Sequence, residues 1–284
     1  MATQHPVPNL RGVLVTRLVL SCLAAVVCGV MPDAAQAQES SIPDAILGTA
    51  PPPQGRAVTY LAGDTLTRGY VAVPPGPGPF PALILVHEWN GLVDRVRQVA
   101  DAFAAHGYVA LAVDLYHGRT GSNPQENMAL VNETRAHPEQ IIANLDAAQR
   151  YLRARPDVSG KVGVMGWCFG GGIALSYALG GAQHDATAIF YGSLVTDPAE
   201  LRRIHHPIYG TFAGRDTGIP ADQVARFAAV LDSLGVKNDI HIYDPMVHGF
   251  WLWVDRDRAA REAPATDAWQ RLTRFLRETL GGGR

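Results

Sequence analysis

Short apolar runs alternate with longer segments of helical spacing along most of the chain. Residues 82–87 (Ala-Leu-Ile-Leu-Val-His) and 108–113 are apolar throughout and too short for helices, so they read as buried strands. Residues 94–106 between them place apolar positions on one helical face and end at Gly107, a good C-cap. Residues 138–155 predict a long helix. Lys161-Val162-Gly163-Val164-Met165 predicts another strand, with helix-compatible Ile173 to Leu179 shortly after it. Further strands are expected over 187–191, 208–212 and 238–243. A helix over 222–234 closes at Gly235, and a terminal helix over 266–280 has Thr266 as its candidate N-cap. Residues 58–61 and 68–73 predict a leading antiparallel hairpin that turns at Gly63-Asp64. The alternation implies one α/β domain, with a mostly parallel sheet and helices on both faces.

Composition changes the picture mainly at the amino end. Arg11 and Arg17 precede an apolar run over 18–31, and Ala35-Gln36-Ala37 then offers a small-x-small cleavage site before Gln38. That is the pattern of a secretory signal peptide over 1–37, and the apolar run is shorter than the ~20 residues a membrane span needs. The expectation is export to the periplasm or the exterior, with no stable membrane insertion after cleavage. Residues 38–55, rich in Pro, Ala, Ser and Gly, read as a flexible lead-in to a single domain over 56–284. A net charge of −2 argues against a nucleic-acid partner, which would need a basic face. Of three cysteines, Cys22 and Cys28 fall in the leader, so the mature chain keeps Cys168 and no disulfide framework.

That thiol sits at the centre of Gly166-Trp167-Cys168-Phe169-Gly170, between a strand and a helix. The same turn with serine at its centre is the nucleophile elbow of α/β-hydrolases. Small residues on either side let strand and helix approach around a strained backbone and raise the side chain at the carboxyl edge of the sheet. The Phe169 N–H is then a candidate oxyanion donor. Downstream, Asp216 and His248 lie in loops after strands, in the order nucleophile, acid, histidine. A thiol attacking a carbonyl needs a group that takes its proton and later delivers one to the leaving group. An imidazole does both, and a carboxylate orients it. Asp114 and Asp244 compete with Asp216 for the acid role. Glu88 ends a buried strand at the same edge, as a site carboxylate or as a structural partner of a base such as Arg119.

These segments together resemble the dienelactone hydrolase (carboxymethylenebutenolidase) family. The shared features are His87-Glu88-Trp89, Asp114-Leu115-Tyr116, the elbow with Gly171 and Gly172, Gly214-Arg215-Asp216 with Pro220, and His248-Gly249-Phe250. The resemblance runs from about residue 57 to the C-terminus. It implies a cysteine hydrolase that cleaves an enol-lactone or related small ester, without metal or organic cofactor. It also implies that Glu88 helps make the thiolate, and the loop position suggests the Trp89 N–H as second oxyanion donor. Members that open dienelactones carry an arginine four residues after the histidine. Leu252 stands there, within Trp251-Leu252-Trp253, which implies a less charged substrate. Tyr116, Arg119, Phe250 and Trp251 are the candidate substrate contacts.

Other readings have less support in the residues. His87-Glu88 opens like a zinc-protease helix, but Gly91 stands where the second histidine would be required. His205-His206 has no matching second pair. A broad carboxylesterase or thioesterase of the same fold, or a binding protein that keeps the pocket without catalysis, are the alternatives.

Overall fold

The computed structural model describes residues 1–5 and 41–282. The segment expected to be a signal peptide lies almost wholly outside the described residues. From Ser41 onward, eight strands form one sheet in the order β1-β2-β4-β3-β5-β6-β7-β8. The strands are β1 (Arg56–Val58), β2 (Gly69–Ala72), β3 (Phe80–Val86), β4 (Val109–Val113), β5 (Val158–Trp167), β6 (Ala186–Phe190), β7 (Ile208–Ala213) and β8 (Asn238–Tyr243). β1 and β2 pair antiparallel, and β2 joins β4 antiparallel; every other pairing is parallel. β3, β4, β6 and β7 are buried along their whole length, which explains their mainly apolar sequences.

The helices are α1 (Asp44–Leu47), α2 (Asp94–Ala105), α3 (Pro124–Arg135), α4 (Pro138–Arg153), α5 (Phe169–Gly180), α6 (Pro198–Leu201), α7 (Ala221–Ser233) and α8 (Arg258–Leu280). Val96, Val99 and Phe103 of α2 share one core with Trp269, Leu272 and Phe275 of α8. Ile141, Leu145 and Leu152 of α4 pack with Ile173 and Tyr177 of α5 in a second core. α7 closes a third with Val224, Phe227 and Leu231. The sheet therefore has a core on each face, as the alternating sequence predicts.

Three expectations change. Residues 41–55 are not a free lead-in: Ile46 of α1 is fully buried against α2. Asp101 of α2 accepts hydrogen bonds from Gln54 N at 2.8 Å, Gly55 N at 3.2 Å and the Tyr70 hydroxyl at 2.6 Å. The apolar residues that dock this segment are too few and too scattered among prolines to stand out. The terminal helix begins two turns earlier than Thr266. Asp257 caps it through Ala260 N at 3.3 Å, and Pro264 sits within it. Thr266 instead turns its hydroxyl back onto the Glu262 carbonyl at 2.7 Å. α3 was not expected from the sequence. Its residues are largely polar, and its start is set by Asn123, whose side chain accepts from Glu126 N at 3.0 Å, with Pro124 in the first turn.

Candidate active site

The elbow forms because glycine stands where the backbones of β3, β5 and α5 come closest. A Cβ on Gly166 would lie 2.2 Å from Gly170 O, and one on Gly170 would lie 2.2 Å from Val86 O. Neither distance is possible between real atoms, so no other residue fits either position. Cys168 bends between strand and helix with φ 54° and ψ −115°, a left-handed backbone that is rare for a side chain of this kind. Its N–H donates to Phe190 O at 2.9 Å. Strain held at one residue by the packing around it is a feature of functional positions. Phe169 opens α5, so its N–H has no acceptor within the helix.

The other expected residues converge on the same edge. His248 Nδ1 and Asp216 Oδ2 are 2.6 Å apart. Asp216 is buried, and its second oxygen accepts from Gly218 N at 2.9 Å and Ile219 N at 3.3 Å. Burial works against the Asp216 charge, but the His248 contact and these two N–H donors outweigh it and hold the carboxyl below its ordinary range. His248 is pushed up to about 10. Burial opposes this, and the Asp216 hydrogen bond followed by contact with the Cys168 thiol overcomes it. The imidazole is held by the carboxylate and lines one cavity with the thiol. Asp114 is occupied elsewhere, accepting from Tyr116 N at 2.9 Å and Gly118 N at 2.6 Å.

Cys168 and His248 line a cavity of about 440 Å³ together with Glu88, Trp89, Asn123, Asn127 and Arg256. Glu88 is buried, and its Oε2 accepts from Trp253 Nε1 at 2.6 Å. Burial pushes the Glu88 carboxyl up, against the Trp253 hydrogen bond and the charges of His248 and Arg256. His87 is fully buried and neutral in character. Its Nδ1 meets Glu88 O at 2.6 Å and its Nε2 accepts from Leu115 N at 3.2 Å, so it ties two loops together. Burial lowers its pKa.

The expected substrate contacts lie elsewhere. Phe250 and Trp251 are fully buried: Phe250 packs on Tyr191 and Tyr243, and Trp251 stacks on Trp167 at 5.9 Å. Tyr116 is also buried, packing on His87 and Phe169, with its hydroxyl donating to Trp89 O at 3.1 Å. Arg119 is held by both carboxylate oxygens of Glu133, at 2.9 and 2.6 Å, and lines other hollows. Aromatic residues beside a catalytic motif are more often there to pack than to bind.

Two residues of the site were missed. Tyr191 has φ 38°, is fully buried, and meets the His248 ring edge-on at 5.0 Å. Its hydroxyl accepts from Leu252 N at 3.4 Å and also meets Glu88. Burial, then the charges of Glu88 and Cys168, push its pKa well up. Arg256 brings positive charge to the cavity, with its guanidinium 4.4 Å from the Trp253 ring, while Leu252 is fully buried in the core. Arg95 covers the same ring at 4.8 Å.

The parallel sheet, the strained turn after β5 and the Asp216–His248 pair after β7 and β8 define an α/β-hydrolase. The chain belongs to the dienelactone hydrolase family, whose model matches residues 67–280. Protein usf of Aquifex pyrophilus is 29% identical over 80% of this chain and 99% of its own length. A Methylorubrum extorquens protein named "Putative carboxymethylenebutenolidase" is 28% identical over 76% of this chain and 78% of its own. Among solved structures, the dienelactone hydrolase-like promiscuous phosphotriesterase P91 from metagenomic libraries superposes with a TM-score of 0.70. It is 22% identical, covering 80% of this chain and 99% of that one, and shows the shared fold. The family defines the chain as a carboxylic ester hydrolase.

Proposed function

We propose that the protein cleaves a lactone or small carboxylic ester through a thioester on Cys168. The name carried by relatives such as the Methylorubrum protein points to an enol-lactone as one such ester. His248 holds the proton of the Cys168 thiol as imidazolium, and the thiolate sulfur attacks the carbonyl carbon. The oxyanion that forms is held by the N–H groups of Phe169 and Trp89. His248, protonated and steadied by Asp216, then gives its proton to the leaving alkoxide as the C–O bond breaks. The neutral imidazole next takes a proton from water, and the resulting hydroxide splits the thioester and frees the acid. Glu88 tunes the thiol: charged, it opposes a neighbouring thiolate; protonated, it does not.

The observation that carries this reading is that Cys168 and His248 line one cavity, with the His248 ring held by Asp216 at 2.6 Å. Rapid quenching during turnover of 4-nitrophenyl acetate, followed by peptide mass spectrometry, should show acetyl on Cys168. Turnover with no adduct there, and full activity in Cys168→Ala, would remove the thioester. The amino-terminal pattern supports export, with residues 1–37 removed; the mass of the protein recovered outside the cytoplasm tests this.

A further inference from the structure

A second hollow begins at Phe169, the residue bonded to the nucleophile. It has a volume of about 570 Å³, within the range of small-molecule sites. It follows the outer face of α5, where Phe169, Gly172, Ile173, Ser176, Leu179 and Gly180 line it at helical spacing. From Phe169 to Gly180 that face runs roughly 16 Å, longer than an extended hydrocarbon chain of about ten carbons. Ile141 and Ile142 of α4 form one bank, and Leu194 and Val195 form the other. Small groups keep the floor low, with no side chain at Gly172 and only a hydroxymethyl at Ser176. The Arg135 guanidinium lies over the Phe169 ring at 5.6 Å, at the end nearest the thiol.

This groove differs from the cavity that holds His248. The cavity is smaller and walled by Glu88, Asn123, Asn127 and Arg256; the groove is larger, and its aliphatic residues are flanked by Arg135, Glu200 and Arg203. The two share no lining residue; Phe169, bonded to Cys168, is where the groove meets the elbow. We propose that the groove takes an aliphatic limb of the ester, so that the enzyme favours medium-chain esters over acetates. This rests on the ester-hydrolase reading above and adds a substrate class to it. Each methylene laid along the groove supplies up to about fourfold in kcat/KM.

The test varies chain length on each side of the ester. 4-Nitrophenyl acetate to decanoate varies the acyl limb, and ethyl to octyl acetate varies the alcohol limb. The expected result is a rise of about tenfold or more in kcat/KM between the short and long members of one series. Ser176→Trp, which fills the floor, and Ile142→Glu, which charges one bank, should each abolish the rise while leaving acetate hydrolysis unchanged. Calorimetric titration with decanoate and acetate measures the groove without turnover, and only decanoate should bind. Flat profiles in both series, a rise that survives in both variants, or decanoate binding no better than acetate would overturn the groove while leaving ester hydrolysis intact. A dimer that Ser176→Trp dissociates would assign the groove to a second copy and also overturn it. An enzyme inert to every ester sinks the hydrolase reading instead, and the decanoate titration still decides the groove.

Discussion

Histidines at opposite ends of the sheet differ in charge, one site cationic and the other neutral. Beyond the carboxyl ends of the strands, His248 faces a carboxylate and is held protonated, its pKa up to about 10. At the amino ends, His184 and His206 share the Thr187 hydroxyl, each at 2.8 Å, with their rings 4.2 Å apart. Burial lowers both, and His184 adds to the effect on His206, which falls to about 3. The hydrogen bonds are of similar length in the two places, so length does not set the charge. What differs is the partner: a carboxylate favours imidazolium, whereas a hydroxyl and a carbonyl in a buried site do not. The amino-end chain also has a fixed direction. His184 Nδ1 donates to Ala182 O at 3.0 Å, so its Nε2 accepts the Thr187 proton, and His206 Nε2 donates to the Thr187 oxygen. One cluster is arranged to move a proton and the other to keep every proton in place.

The sharpest way to break this contrast is to remove the thiol. Cys168→Ala is expected to lower kcat by at least about 10³-fold with little change in Tm, since the residue is only partly buried. Next, Asp216→Asn should lower kcat/KM by about 10²- to 10⁴-fold. It should also bring the His248 titration down from about 10 toward 6.5, because the group that favours imidazolium is gone. The Cε1 proton signal of His248 followed across pH reads this directly; an unmoved midpoint would show that Asp216 does not hold the proton. Thr187→Val should do the reverse, leaving kcat/KM unchanged but lowering stability by about 1–3 kcal/mol through loss of the shared hydroxyl.

The smallest effect expected is a difference in pH dependence of folding. Between about 3 and 6.5, folded His206 binds less proton than it does unfolded. Its contribution to stability is therefore lost as pH falls below 6.5, with a slope of up to about 1.4 kcal/mol per pH unit. His206→Gln should flatten that acid limb in urea titrations. His248 has the opposite sign: its folded pKa is raised, so its contribution is present below 6.5 and lost as pH climbs through about 10. Asp216→Asn should remove that alkaline loss. An acid limb of equal slope in wild type and His206→Gln would mean that the amino-end cluster is not what titrates.

The elbow and the acid–histidine pair were legible because each leaves a local trace. Gly166 and Gly170 are required by backbone contact, and the order Cys168, Asp216, His248 follows from where strands end. The sheet was legible because strands buried on both faces are mainly apolar, with polar exceptions such as Thr187 that find partners. Tyr191 was not, because its left-handed φ falls on a residue without the glycine that usually marks one. The tie between Glu88 and Trp253 joins positions 165 residues apart, and no local pattern encodes it. The expected pocket walls failed for a related reason: aromatic character places a residue against other apolar groups, but does not say whether those belong to core or ligand. Phe250 and Trp251 went to the core, while Trp253, two residues on, reached the cavity. Arg119 was lost to Glu133, a neighbour on a helix whose polar sequence had hidden it.

The setting of Trp253 has a practical consequence. Its indole donates to Glu88 and lies between two guanidinium groups, while Trp167, Trp251 and Trp269 are sealed inside the protein. Emission from a ring so surrounded depends on the charges beside it. A ligand that shifts Glu88 or Arg256 should therefore change intrinsic fluorescence without any added dye, and occupancy of the cavity becomes visible even in a Cys168→Ala protein that consumes nothing.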